Sequence, residues 1–426
     1  MHLHRIISAF AFAMSPIFMA TLSFATSSFA ANNDPIEASS VSEYSNETAE
    51  TPVESPIVTQ KISRGLDRPL QVGVFIGVPS VLVRQKNEDM HISASRGKLK
   101  IRTKGKRQQS TDKRVFKPVN GCIAIATDKA SLNKACYEGE FIVTANGNKV
   151  NAVNVIDMED YLRGVLPYEI GRLDISKFEA LKAQAVAART YAYKHFGSRK
   201  SHGFDIYADT RDQVYKGLQS ASDVTDKAVR ETDGVVMTYN GEFITAYYHS
   251  TCGGETEGVV TWGRPDHPYL QNKPDIRPDG TPWCKESSYS EWTREFEESE
   301  LRDLFQTNAK EAKASVPSFW SIHSMNILDT LKSGRIHTLE ITTNNGPFIA
   351  KGDKIRWLFK RGGTILPSSF FRISRNGDKW ILKGKGFGHG VGLCQIGARA
   401  RAQAGQSYIQ ILTHYYPGIT LEKFEK

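Results

Sequence analysis

Glycine stands at every second position of the block GKGFGHGVG, Gly384–Gly392. In an extended segment this alternation leaves one face without side chains, an arrangement that allows another backbone or an extended ligand to come close. The spacing never meets G-x-G-x-x-G and no phosphate-binding helix start is indicated, so a dinucleotide loop is excluded. Two short helices are expected after the block, one near Gln395–Gln403 ended by Gly405 and one over Tyr408–Tyr416 ended by Pro417-Gly418.

A longer helix is expected between Ser176 and Gly197. Ser176 and Glu179 fit a capping box at its start, and Gly197 is a stop signal. Phe178, Leu181, Ala185, Ala188 and Tyr191 recur at three- and four-residue steps and form one apolar stripe. Before it, short apolar runs such as Val72–Val78, Gly121–Ala126 and Glu140–Ala145 alternate with Gly, Asn, Ser and Lys clusters, so 69–155 reads as a β-rich region. Gly234–Gly254 reads as two strands joined by a tight Asn240-Gly241 turn. The second strand sets Phe243, Thr245, Tyr247 and His249 on one face and Ile244, Ala246 and Tyr248 on the other, and it delivers His249 to a strand end. The expected class is α+β, with a β-rich N-terminal part and a helix-containing core that forms a cleft. Leu301–Asn345 is weakly patterned and reads as an insertion or connecting element.

The mixture of apolar, charged and Gly residues in the 426-residue chain excludes collagen-like, disordered and disulfide-scaffold classes. Residues 1–30 carry His2, His4 and Arg5 ahead of an apolar stretch and end in small residues, the pattern of a cleaved export signal. Residues 31–68 are expected to be an acidic disordered spacer, with six acids and no Lys or Arg in Ala31–Ser55. The net charge of +9 therefore hides a body from Pro56 onward of +14. With no other apolar run of about 18 residues, the chain after signal cleavage is expected to lack a membrane span and to be exported, to a cell envelope or periplasm. Arg96–Arg114 concentrates positive charge, as a solvated hairpin or a surface for anionic envelope polymers. No aromatic residues interleave with its charges, so no nucleic-acid partner is expected.

There are five cysteines. In an oxidising compartment Cys122 can pair with Cys136 and Cys252 with Cys284, and free thiols are the alternative. His249 and Cys252 also have a spacing that presents two zinc ligands from one turn, with Cys284 as a third, so no cofactor is required but zinc stays open. Cys394 is left over. Beside His389 it also suits a thiol nucleophile, although no local cysteine-protease signature surrounds it. Glu169, in the turn-like GVLPYEIG, is the acidic candidate, since partial desolvation there raises a carboxyl's pKa toward general-acid work.

Five blocks together resemble the stage II sporulation protein D family, also called the amidase-enhancer family. They are YLRGVLPYEI; FEALKAQAVAARTYAY; DTRDQVYKG; FITAYYHSTCGGETE with Trp262, Pro268-Tyr269-Leu270 and Asp275; and the glycine block through GLCQIGARARAQAGQSYIQILTHYYPGI. The resemblance makes 156–426 the catalytic region of a lytic transglycosylase that cuts peptidoglycan glycan strands, with Glu169 as the catalytic acid and base. It implies substrate-binding roles for Gln184, Arg189, Tyr191, Tyr215, His249, His389 and Gln395, with Tyr215 and Tyr247 stacking on sugars. Arg189 has the alternative of pairing with an acid such as Asp209. A non-catalytic wall-binding amidase enhancer, with a cell-wall amidase as partner, is the alternative. Division, sporulation and general turnover all remain open. This chain carries Cys252 and Cys394 where the family often has Ser.

Overall fold

The computed structural model describes residues 58–61 and 66–425; the expected export signal and most of the acidic spacer lie outside the described residues. The protein is α+β. Its N-terminal part holds two five-stranded sheets. One runs Gln109–Thr111, Lys98–Thr103, Glu88–Ser95, Ser80–Gln85, Ala124–Ala126 in spatial order. Its hairpins close through Lys86-Asn87 and Arg96-Gly97, all with positive φ, as two-residue turns between twisted strands require. The other runs Ile206–Tyr207, Leu70–Val78, Lys149–Ile156, Glu140–Asn146, Lys113–Phe116. Within Arg96–Arg114, Leu99 and Ile101 point inward, whereas Lys98, Arg102, Lys104 and Lys106 are exposed. Cys122 and Cys136 form a disulfide in this part.

Val58–Lys61, which the sequence assigns to the spacer, is a strand parallel to the C-terminal strand Thr420–Glu425. That strand pairs in turn with Val235–Tyr239, so both ends of the body are tied into one sheet.

The long helix spans Phe178–Lys194, but its capping box does not form. Asp174 instead caps a 3-10 turn before it, accepting from Ser176 N–H at 2.9 Å, and Glu179 reaches across to the Tyr408 N–H at 2.7 Å. Nor is there a single apolar stripe. Ala180, Ala183, Ala185, Ala187, Ala188 and Ala192 cover its circumference, and nearly every residue from Ala180 to Tyr193 is buried. The helix runs through the centre of the core, and alanine lets its neighbours approach on all sides. The two C-terminal helices, Gln395–Gln403 and Tyr408–Tyr415, pack against it.

The Asn240-Gly241 turn has the expected positive φ at both positions, but the second strand is paired only over Glu242–Phe243. Alternation holds to Ala246 and then breaks. Tyr248–His249 leaves the hairpin and pairs in parallel with Leu393–Cys394.

The region Trp292–Gly384 is a lobe with its own core. Trp292, Phe296, Leu301, Phe305, Leu339, Phe359 and Trp380 pack together, apart from the main core. Leu301–Asn345, weakly patterned as sequence, supplies its helix Glu298–Ala312 and the strands Ile322–Thr330 and Ile336–Thr343. Arg335 fastens the lobe to the main body by donating to the Cys252 carbonyl at 2.7 Å and the Glu255 carbonyl at 2.9 Å.

Candidate functional site

The glycine block is the floor on which this site is built. Gly386, Gly388, Gly390 and Gly392 have φ of +87°, +112°, +85° and +72°, a conformation that L side chains rarely adopt. The segment that crowds it is the chain's own Tyr247–Glu257. A Cβ on Gly392 would sit 2.0 Å from the Tyr247 carbonyl oxygen, and one on Gly388 would sit 2.7 Å from the His249 Cβ. Thr251 and Phe387 exchange backbone hydrogen bonds at 2.9 and 2.8 Å, and Glu257 N–H donates to the Gly390 carbonyl at 2.8 Å. The close approach read from the sequence is therefore made by another backbone.

That approach brings Tyr248 to Glu169. Glu169 is the last residue of the helix Met158–Glu169, and its Oε1 accepts the Val214 N–H at 2.6 Å. The Tyr248 hydroxyl donates a second hydrogen bond to the carboxylate and accepts one from Gln213 Nε2 at 3.1 Å. Gln213 Oε1 accepts from the buried Tyr161 hydroxyl at 3.1 Å. Burial is the largest influence on Glu169 and opposes its charge. The bonds from Val214 and Tyr248 pull the other way, and the balance leaves the carboxyl pushed up to about 7. Asp212 is occupied elsewhere, with Arg199 at 2.8 Å, the Tyr191 hydroxyl at 3.1 Å and the Tyr207 N–H at 2.8 Å. Arg399 donates to the carbonyl of Ile170, which fixes the backbone just past Glu169 from the first C-terminal helix.

Beside Tyr248, Tyr247 begins an aromatic wall. Tyr247 and Trp262 meet with ring centroids 4.9 Å apart, and Trp262 and His389 at 5.0 Å. Tyr247 and Trp262 also line a cavity of about 960 Å³ whose other side, Lys351, Asp353 and Trp357, belongs to the inserted lobe. Glu169 does not line this cavity; the adjacent residues Tyr247 and Tyr248 connect the two.

Of the residues singled out from the sequence besides Glu169, Tyr191, His249 and His389 gather around this wall, and Gln184 and Gln395 are buried and bond each other. Gln395 Nε2 donates to Gln184 Oε1 at 3.3 Å, and the buried Gln184 Nε2 has no hydrogen-bond partner among the described residues. His249 Nδ1 meets the Val391 carbonyl at 3.1 Å, so it carries the proton, and the buried Nε2 has no hydrogen-bond partner among the described residues. His389 Nδ1 accepts the Val391 N–H at 3.0 Å, and the ring also bonds the Tyr248 backbone. Burial holds His389 down to about 4, so it is neutral at pH 7. Tyr191 adjoins Tyr247, with its hydroxyl given to Asp212.

Arg189 and Tyr215 are placed otherwise. Arg189 is fully buried and pairs with Glu159 through Nε and Nη2 at 2.8 and 2.6 Å, so its charge is spent within the fold; Asp209 pairs with Arg211 instead. Tyr215 is also buried, its hydroxyl donating to Asn154 Oδ1 at 2.7 Å and its ring lying against Gly164, which leaves no face for a sugar. Of the alternatives open for Cys252 and Cys284, disulfide or free thiols, the structure has free thiols with sulfurs 3.5 Å apart, and Cys394 completes a buried trio. His249, expected as a zinc ligand with them, is not grouped with this trio: neither of its ring nitrogens lies with the three sulfurs. Cys394 contacts its fellow cysteines and backbone amides rather than His389, so no thiol–imidazole pair is assembled. Sequence reading missed Tyr248 and Gln213. Both lie inside quoted blocks, but their pairing with Glu169 arises only when three distant segments meet.

Over 287 residues the chain is 30% identical to stage II sporulation protein D of Bacillus subtilis, an alignment that covers 64% of this chain and 76% of that protein. The chain belongs to the stage II sporulation protein D family. A family model described as "Stage II sporulation protein" matches residues 146–239, which contain Glu169, the buried helix and Gln213. A second model, described as a domain of unknown function, matches 284–392, which contains the inserted lobe and the whole glycine block. Another family relative is the amidase enhancer of Bacillus subtilis, 32% identical over 62% of this chain but only 40% of its own length. An uncharacterised protein of Brachyspira hyodysenteriae is 31% identical over 72% of this chain and 77% of its own. Among the described residues no helix is long and apolar enough to cross a membrane.

Proposed function

We propose that the protein is an exported lytic transglycosylase that cuts peptidoglycan glycan strands between N-acetylmuramic acid and N-acetylglucosamine. The observation that carries this reading is the carboxyl of Glu169, pushed up to about 7 by burial against two hydrogen bonds, while the neighbouring Asp212 is taken up by Arg199, Tyr191 and Tyr207. Hydrolases of glycosides use two carboxyl groups, one as acid and one as base or nucleophile. An intramolecular displacement uses one. Protonated Glu169 gives its proton to the glycosidic oxygen as the bond to the muramic acid C1 breaks. The resulting carboxylate then takes the proton of the C6 hydroxyl as that oxygen bonds to C1, which closes a 1,6-anhydro ring and restores the acid. A carboxyl near 7 is matched to both halves of this cycle at neutral pH. Tyr247 and Trp262 offer aromatic faces to the sugars. His389 acts by holding the Tyr248 backbone.

The test is incubation of the purified protein with intact and with peptide-free glycan strands, followed by mass spectrometry for anhydromuramic ends. Glu169→Gln is expected to abolish them; unchanged products from that variant would refute the mechanism. A second reading, a wall-binding partner that enhances an amidase, is favoured by the amidase-enhancer relative and the exposed basic hairpin. Absence of cleavage on either substrate, with stimulation of an amidase, would support it.

A further inference from the structure

Three buried thiols stand where three remote parts of the chain converge. Cys252 follows the strand Tyr248–His249, Cys284 precedes the inserted lobe, and Cys394 lies just after the chain returns from it. Their sulfurs all lie within 4.8 Å of one another, with Cys252 and Cys284 at 3.5 Å. Tetrahedral zinc with Zn–S bonds of about 2.3 Å holds its sulfurs about 3.8 Å apart. The trio is thus already at metal-site spacing, whereas a disulfide leaves the third thiol unused and requires sulfur contact at about 2.05 Å.

Backbone amides donate to two of the three sulfurs. The Cys394 Sγ accepts the Cys252 N–H at 3.2 Å and the Gly397 N–H at 3.4 Å, and the Cys252 Sγ accepts the Gly254 N–H at 3.3 Å. Such amides stabilise thiolates more than thiols. Gly397 is also sterically required, since a Cβ there would meet Cys394 Sγ at 3.3 Å and Asp275 Oδ2 at 2.6 Å. Asp275, to which the Cys252 thiol donates at 3.2 Å, is held by Arg401 at 2.8 Å and by the Tyr415 hydroxyl at 3.0 Å, giving the cluster a rigid wall.

We propose that Cys252, Cys284 and Cys394 bind one thiophilic divalent ion, Zn²⁺, as three thiolates. Three thiol protons leave for solvent as three Zn–S bonds form, so no oxidant is involved. The ion ties the start and end of the inserted lobe to the strand pair that carries Tyr248. Its role is to fix that pairing, and it takes no part in bond cleavage. The site stands independently of the reaction proposed above.

Metal analysis of the purified chain equilibrated with Zn²⁺ and desalted is expected to find about one zinc per chain. A mercurial should release it as it caps three thiols, and a chromogenic disulfide should react with three thiols only after a chelator, in denaturant, has removed the ion. Cd²⁺ in place of Zn²⁺ should give an ultraviolet thiolate-to-metal charge-transfer band. Cys284→Ser should weaken zinc binding at least about tenfold, whereas the double variant Cys122→Ser/Cys136→Ser should retain it. Absence of retained zinc in the wild-type chain, or a Cys252–Cys284 disulfide in a non-reducing digest, would overturn the proposal whatever the chain does to glycan.

Discussion

Replacing Glu169 by Gln tests the state of the carboxyl without any substrate. In the folded protein Glu169 is pushed from 4.5 up to about 7, chiefly by burial. The folded state therefore holds this proton more tightly than the unfolded chain, and stability falls as pH rises between those values. A difference of about 2.5 units corresponds to a destabilisation of about 3 kcal/mol, imposed in full above pH 7 and absent below about pH 4.5. Gln has nearly the same shape, can accept the Val214 N–H through its amide oxygen, and carries no charge to desolvate. Glu169→Gln is thus expected to be more stable than the parent at pH 8, by about 2–3 kcal/mol, and equal to it near pH 4.5. Urea unfolding of both proteins across this range gives the difference directly, since other titrating groups are common to both and cancel. A difference that does not change with pH, or a variant less stable at pH 8, would refute the assignment of a desolvated carboxyl. A gain in stability with loss of activity is also the exchange expected where a site keeps a group in a costly state.

Tyr248→Phe removes a hydrogen bond that favours the Glu169 carboxylate, so its pKa should rise by about one unit. The alkaline limb of kcat/KM on glycan should move up by the same amount; an unchanged limb would show that the hydroxyl does not set the proton affinity. Gly392→Ala should destabilise by at least about 2 kcal/mol in urea unfolding, because positive φ and the Tyr247 carbonyl both oppose a Cβ. Gly377→Ala, with φ +60° but open space, should cost only about 1 kcal/mol, and equal effects would remove the packing argument. Arg189→Met breaks a largely buried pair with Glu159 and should lower stability by about 3 kcal/mol while leaving KM unchanged at temperatures where the variant is folded. A raised KM with unchanged stability would return Arg189 to the substrate. Trp262→Ala should raise KM for glycan several-fold with little change in the Glu169 pH limb, a split expected of a binding surface.

Local patterns determined much of this protein. The α+β class, the buried helix, the two C-terminal helices and their glycine stops, the Asn240-Gly241 turn and the crowding at the glycine block each leave a signal within a few residues. Those signals arise from period, caps and backbone freedom. Glu169 was likewise visible, within a block that resembles a family. Its proton affinity was not, because that depends on Val214 and Tyr248, which are distant in sequence. Tertiary structure alone decided that Arg189 is paired with Glu159, that Tyr215 is sealed inside, and that Leu301–Asn345 belongs to a lobe with its own core. It also gathered Cys252, Cys284 and Cys394, which no spacing rule joins. The physical reason is common to all four: burial and charge pairing are set by which segments meet, and a meeting between remote segments leaves no periodic trace in either one.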